Sequence, residues 1–332
     1  MKKIALLILC FSFIKIQAQT IQILSKGTRT SIRGLSVVND NIFWVSGSNG
    51  MIAKSTNGGQ TIEWQQVKGY EKRDFRDIEA FDSNTAIIMG VDWPAIILKT
   101  KDGGKNWYKV FEDSTKGMFL DAMDFNEKGY GIVIGDPING QLYRANTNDF
   151  GESWQKNEWQ VELANGEAFF ASSGTNLKLV VPPQKQDIFV YASGGKVSAL
   201  RQGGGFKILP IIQGKESTGA NSIDVFKNKA VVVGGDYMND KDATQNCVLV
   251  SLDNHFSFTK PQTPPHGYRS CVIYLNENNL VTCGTSGVDI SNDGGNNWQL
   301  ISTESFHVVQ KAKKGNTVYL AGGMGRIAKI IF

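Results

Sequence analysis

An eight-residue pattern, Ser/Thr-x-Asp-x-Gly-x-x-Trp, recurs along this chain and constrains its fold more than any other feature. Clean copies run from Thr100 to Trp107, from Thr147 to Trp154 and from Ser291 to Trp298. A degraded copy runs from Ser55 to Trp64, with Asn57 at the Asp position and two extra residues before the Trp. Ser251-Leu-Asp253 followed by Phe258 is a weaker echo without the Gly. Each residue type has a local task. The Asp carboxylate accepts backbone N–H bonds across a tight turn, and the hydroxyl adds another. Gly supplies positive φ, and the Trp at the start of the returning strand buries a large surface that pins the hairpin. Recurrence at a regular spacing is the mark of a repeat architecture. The pattern therefore assigns a structural, not a catalytic, role to Asn57, Asp102, Asp149, Asp253 and Asp293.

Between these turns lie short β-branched and aromatic runs followed by Gly-rich turns, such as Asn41 to Ser46, Thr85 to Met89, Ala230 to Val233 and Leu280 to Cys283. Helical periodicity is almost absent. Preceding strands are predicted with centres at Leu35, Ile78, Ala122, Phe169, Ile223, Cys271 and Val308. Seven units of about four strands at this period predict an all-β chain folded as a seven-bladed β-propeller. The last unit, ending at Phe332, is one strand short, and Thr20 to Leu24 can supply the missing outer strand. Closing the ring with a strand from the opposite terminus removes the edge that the last unit would otherwise expose. One propeller domain over residues 19–332 follows, with no linker.

Residues 1–18 read as a secretory signal peptide: Lys2 and Lys3 precede the apolar run Ile4 to Ile14, with Ala18 at a plausible cleavage point. That run is about half of what a bilayer span needs, so the expectation is an exported chain, periplasmic or extracellular, not membrane-spanning and monomeric. The formal charge is +4, and loss of Lys2, Lys3 and Lys15 with the signal leaves +1. Nucleic-acid binding thus lacks its electrostatic footprint. Cys10 leaves with the signal. Cys247, Cys271 and Cys283 form no disulfide framework and have no zinc-site spacing, so they read as small buried thiols.

The turns are Asp-boxes and resemble bacterial neuraminidase (BNR) repeats. The whole mature chain is similar to the photosystem II stability/assembly-factor-like propellers of exported bacterial proteins, on four further segments: Asp74-Phe-Arg-Asp77, Gly166 to Gly174, Val233-Gly-Gly-Asp-Tyr237 and Tyr268-Arg-Ser270. The resemblance implies a binding or assembly module. Labels such as glycosyl hydrolase or oxidoreductase also attach to such proteins, but fold analogy establishes neither. The Phe-Arg-Ile-Pro segment of a sialidase is missing here.

Chemistry in a propeller belongs at the mouth of the central channel, where the inner strands begin. Two positions before the predicted centres lie Arg33, Arg76, Leu120, Glu167, Asn221, Arg269 and Phe306, and one position before them Gly34, Asp77, Asp121, Ala168, Ser222, Ser270 and His307. Loops above add Asp92, Asp136, Asp236, Tyr237 and Arg326. Two readings follow: a ring of ion pairs that ties blades together, or a pocket for a protein or carbohydrate ligand of anionic character. In the second, Arg33, Arg76, Arg269, Asp236, Tyr237 and Arg326 bind the ligand. Were the pocket catalytic, Asp77, Asp121, Glu167 and Asp136 would act as acid and base of a glycoside-processing enzyme.

Cofactor and metal motifs are not legible. Gly323-Met-Gly325-Arg-Ile-Ala328 loosely fits a dinucleotide fingerprint, but the sequence stops four residues later, with no helix to meet a pyrophosphate. His255, His266 and His307 are scattered, there is no Gly-x-Ser-x-Gly elbow, and the acidic stretch Asp236 to Asp242 lacks a metal-loop spacing.

Overall fold

The computed structural model describes residues 19–157, 160–180, 188–203, 205–252 and 256–332. The expected signal peptide, Asp253 and His255 lie outside them. Seven antiparallel sheets, here blades 1 to 7 in chain order, form a β-propeller. Their inner strands are Ile32–Val37, Phe75–Ala80, Leu120–Phe125, Leu177–Val180, Thr218–Phe226, Cys271–Tyr274 and Val308–Lys311. The outer strand of blade 7 is Thr20–Ser25, which pairs antiparallel with Ile327–Ile331.

Both faces of a blade are covered by its neighbours, so the strands read as continuous apolar runs and not as alternating ones. The second strands of blades 1, 2 and 6 (Phe43–Gly47, Ala86–Gly90, Leu280–Gly284) are buried at every residue. The outer strand of blade 4, Gly205–Ile208, is exposed at every residue. The core accordingly sits between blades: Trp44 and Ile52 of blade 1 pack with Ile78, Ile88 and Leu98 of blade 2, and Val190 and Leu200 of blade 4 with Ile223 and Val232 of blade 5. Cys247, Cys271 and Cys283 are free and buried.

The recurring turns join third to fourth strands on the face opposite the mouth. In blade 2, Thr100 Oγ1 donates to Asp102 Oδ1 (2.9 Å) and accepts from the Gly104 N–H (3.0 Å), while Asp102 Oδ1 also accepts from the Asn106 N–H (2.9 Å). Blades 3 and 6 repeat this on Asp149 and Asp293, and Asn57 does the same in blade 1. The backbone N–H of Asn106 holds the Asp102 carboxyl at about 2, below the usual range. The glycine at the fifth position of each turn has positive φ, +88° at Gly104, and meets a side chain from the preceding blade. A Cβ on Gly151 would stand 2.3 Å from Ile87 Cδ1.

Blade 4 differs from expectation. Its inner strand is Leu177–Val180, not a strand centred on Phe169. Glu167–Ala168 is a two-residue strand paired with Gly194–Gly195 at the margin of blade 5's sheet. Aromatic side chains at Phe169 and Phe170 imitate strand patterning, but the segment rides over the mouth and the chain enters the blade only after Gly174. That glycine (φ +66°) faces Asp77, whose carboxyl carbon would be 2.3 Å from any Cβ.

Candidate functional site: a cationic pocket at the channel mouth

Four inner strands share an irregularity at their first turn of pairing. The register against the second strand skips between Ile32 and Gly34, Phe75 and Asp77, Leu120 and Ala122, and Ala220 and Ser222. The residue left unpaired is Arg33, Arg76, Asp121 and Asn221 respectively. A bulge re-aims the side chain it releases, and three of these four line a cavity of about 420 Å³ at the mouth, with Ser270 and His307 from blades 6 and 7. Aromatic rings, Phe119, Phe170, Tyr237 and Tyr268 among them, complete its wall. Tyr237 meets Phe170 edge-on, with ring centroids 5.8 Å apart.

Arg33 is the chemical centre of this cavity. Its Nη1 donates to Ser172 O at 3.3 Å, and no carboxylate among the described residues pairs with it. Burial, then the charge of Arg76, lowers its pKa. Arg76 lies with its guanidinium 5.7 Å from the centre of the Phe119 ring and holds Asp74 at 2.8 Å. His307 Nδ1 stands 2.8 Å from Ile32 O. Burial, followed by Arg33, pushes the His307 pKa down to about 4.

The other expected binding residues lie elsewhere. Arg269 is wholly buried inside blade 6. Its Nε binds Asp289 Oδ2 at 2.7 Å, and its Nη1 binds Tyr268 O and Ser286 Oγ. The residue of blade 6 that reaches the pocket is its neighbour Ser270. Because successive strand side chains point to opposite faces, an alignment off by one residue exchanges the inward and outward sets. Arg326 binds Ser305 O (2.7 Å) and Glu304 (3.2 Å) beside the pocket without lining it. Asp236 turns away, accepting from the Met238 N–H (3.0 Å) and pairing with Lys215 at 3.5 Å, while Tyr237 does line the cavity.

Among the described residues, no Asp or Glu lines this pocket. Glu167 is clamped by Arg201 at 2.7 and 2.6 Å and bonded to Ser193 Oγ. Asp77 accepts from the Ile78 and Met123 N–H groups, both at 2.8 Å, and so ties blade 2 to blade 3. Burial raises its pKa well above the carboxylate range. The tie is one of a set: Ser36 accepts from Ala80 N, Asp124 from Leu179 N, Ser222 from Val272 N and Asp224 from Tyr274 N. These side chains satisfy inner-edge N–H groups that no further strand pairs, as buried donors require. Asp136 accepts from the Phe169 N–H at 3.0 Å. Asp121 is fully buried, with the backbone N–H groups of Asp136 and Ala171 as loose donors that fall short of full hydrogen-bond geometry. Burial first, and the nearby Asp136 second, push its pKa well up.

Of the two expected arrangements, no ion-pair ring surrounds the mouth among the described residues, whereas Arg33, Arg76 and Tyr237 of the expected ligand pocket do line the cavity. Sequence alignment placed Asn221, Ser270 and His307 near this level without selecting them, and Tyr268 and Phe170 were not selected either. A regular strand template carries no bulge, and only a one-residue shift in blades 6 and 7 brings Ser270 and His307 level with Arg33.

Among the described residues, no three metal-ligating side chains converge, and no helix is long and apolar enough to cross a membrane. Residues 15–115 match the family model described as Photosynthesis system II assembly factor YCF48. No curated protein matches the chain significantly. Among solved structures, YCF48 bound to D1 peptide superposes with a TM-score of 0.65 at 16% identity over 96% of both chains. YCF48 from Cyanidioschyzon merolae gives 0.63 at 14% identity, over 94% of this chain and 98% of that one. The RRP9 WD40 repeats give 0.65 at 13%, over 95% and 99%. At such identities the likeness shows the shared seven-bladed fold.

Proposed function

We propose that this propeller, similar to the photosystem II assembly-factor proteins in fold and in its first two blades, is a binding module that seats an anionic segment of a partner protein at the channel mouth. One observation carries the reading: Arg33 is a largely buried guanidinium without a carboxylate partner among the described residues. A buried charge is costly unless paired, and a carboxylate between Arg33 and Arg76 supplies the pair through charge-assisted bonds. Around the pocket, loops between second and third strands carry exposed Trp93, Tyr237, Met238 and Met324. The partner segment accordingly combines an acidic group with flanking apolar side chains. That YCF48 binds a D1 peptide on the same fold supports a peptide over a sugar. A glycoside hydrolase needs an acid pair facing its substrate, and among the described residues the pocket lining contains none.

The same reading makes the mature chain a monomer working outside the cytoplasm, in the periplasm or beyond the cell; fractionation and size-exclusion chromatography check this. The binding test is an array of acidic and amidated peptides beside an anionic glycan array, probed with the parent protein and Arg33→Ala. Binding of acidic peptides, weakened about tenfold or more in the variant, is expected from the loss of one charge-assisted contact of about 1.5–3 kcal/mol. Equal peptide binding by both proteins, or binding confined to glycans, defeats the proposal.

A further inference from the structure

Resting on that anion reading, His307 adds a property to the pocket. The acceptor facing its Nδ1 is the Ile32 carbonyl oxygen, 2.8 Å away. A carbonyl only accepts, so Nδ1 carries the hydrogen and, in the neutral ring, Nε2 is a bare lone pair. Nε2 has no hydrogen-bond partner among the described residues, and the ring forms part of the pocket wall. The charged groups acting on the ring are all cations: Arg33 from the inner strand of blade 1, Arg76 from blade 2 and Arg326 from the turn before the third strand of blade 7. Of the nearby carboxylates, Asp74 pairs with Arg76 through Oδ2 only, and Glu304 pairs with Arg326.

We infer that an anion entering this mouth binds together with one proton, taken from solvent and placed on Nε2 of His307. In the empty pocket three guanidinium groups and burial oppose a fourth cation. A bound anion offsets the charge of Arg33 and Arg76 and sets acceptor oxygens against Nε2, where a lone pair repels and an N–H attracts. Protonation converts that repulsion into a charge-assisted hydrogen bond. The sign follows from linkage. The complex holds one more proton than the free protein, so affinity rises as pH falls. The slope approaches one decade of Kd per pH unit above the free ring's value of about 4 and flattens above the raised value in the complex.

Inorganic sulfate is a suitable probe because its own charge is constant between about pH 5 and 8. Calorimetric titration of the full chain at several pH values, in buffers of different ionisation enthalpy, reads affinity and proton count together. Expected are a Kd that weakens about tenfold per pH unit over part of this range and uptake approaching one proton per sulfate. His307→Gln keeps a polar side chain but cannot titrate, so its profile is flat. Binding by the parent that is independent of pH, with no proton taken up, overturns the inference, as does a pH profile that survives in His307→Gln. Should that variant not fold, the proton count in the parent protein decides alone. Sulfate binding that is flat in pH yet lost in Arg33→Ala sinks only the proton coupling. Absence of sulfate binding, or indifference to Arg33→Ala, sinks the anion pocket and this inference with it.

Discussion

The two faces of this propeller use the same strands and treat polar side chains in opposite ways. On the Asp-box face the four turns that start at Ser55, Thr100, Thr147 and Ser291 close on themselves: hydroxyl, Asp or Asn side-chain oxygen and glycine N–H satisfy one another within a few residues, as at Thr100, Asp102 and Gly104. At the mouth, Arg33 has no paired carboxylate and His307 keeps one nitrogen unpaired among the described residues. Self-satisfied polar groups build a fold, whereas unsatisfied ones mark where something else is meant to bind. Blade 6 shows the same contrast within two adjacent residues, since Arg269 is fully paired inside the blade and Ser270 faces the pocket.

That contrast can be broken by substitution, and the largest effect belongs to the buried pair. Arg269→Ala takes from the buried Asp289 carboxylate its guanidinium partner and leaves it His266, 2.6 Å from Oδ1, and is expected to cost about 3–5 kcal/mol in chemical denaturation. If Arg269→Ala leaves stability intact but abolishes ligand binding, the division between the faces is wrong. Arg33→Ala behaves in reverse: peptide affinity falls about ten- to a hundredfold, while thermal unfolding shows no loss. On the opposite face, Thr100→Val removes the partner of the buried Gly104 N–H and is expected to destabilise by about 1–2 kcal/mol without altering binding. The smallest effect sharpens the account of Asp121. A carboxyl whose folded pKa is raised weakens the fold once pH exceeds its unfolded value near 4, and the penalty grows until pH passes the folded value. Asp121→Asn removes that penalty but keeps a buried polar group of the same shape, so its Tm should exceed the parent's modestly at pH 7 and match it near pH 3. Higher stability at both pH values counts against burial of the charge as the cause.

Much of the architecture was legible because its causes are local. A Ser/Thr-x-Asp-x-Gly-x-x-Trp turn forms its hydrogen bonds within five residues, and strands such as Ala86–Gly90 declare themselves by continuous burial. Blade 4 was misplaced because Phe169 and Phe170 are as apolar as a strand while serving the pocket wall. Of the candidate ligand residues, Arg33, Arg76 and Tyr237 reach the pocket, and Arg269, Asp236 and Arg326 do not line it. The four candidate acids all fall outside its wall: Glu167 and Asp77 are bonded inside the blades, Asp121 is buried, and Asp136, partly exposed, accepts from the Phe169 N–H.

The chain by itself determined the repeat, the number of blades and the level of each strand at which polar residues cluster, since turn chemistry and burial patterns act between near neighbours. Tertiary structure alone decided which of those residues look into the channel. One unpaired residue at the start of an inner strand reverses the direction of the side chains around it, and whether the pairing slips there depends on a partner strand and an adjoining blade.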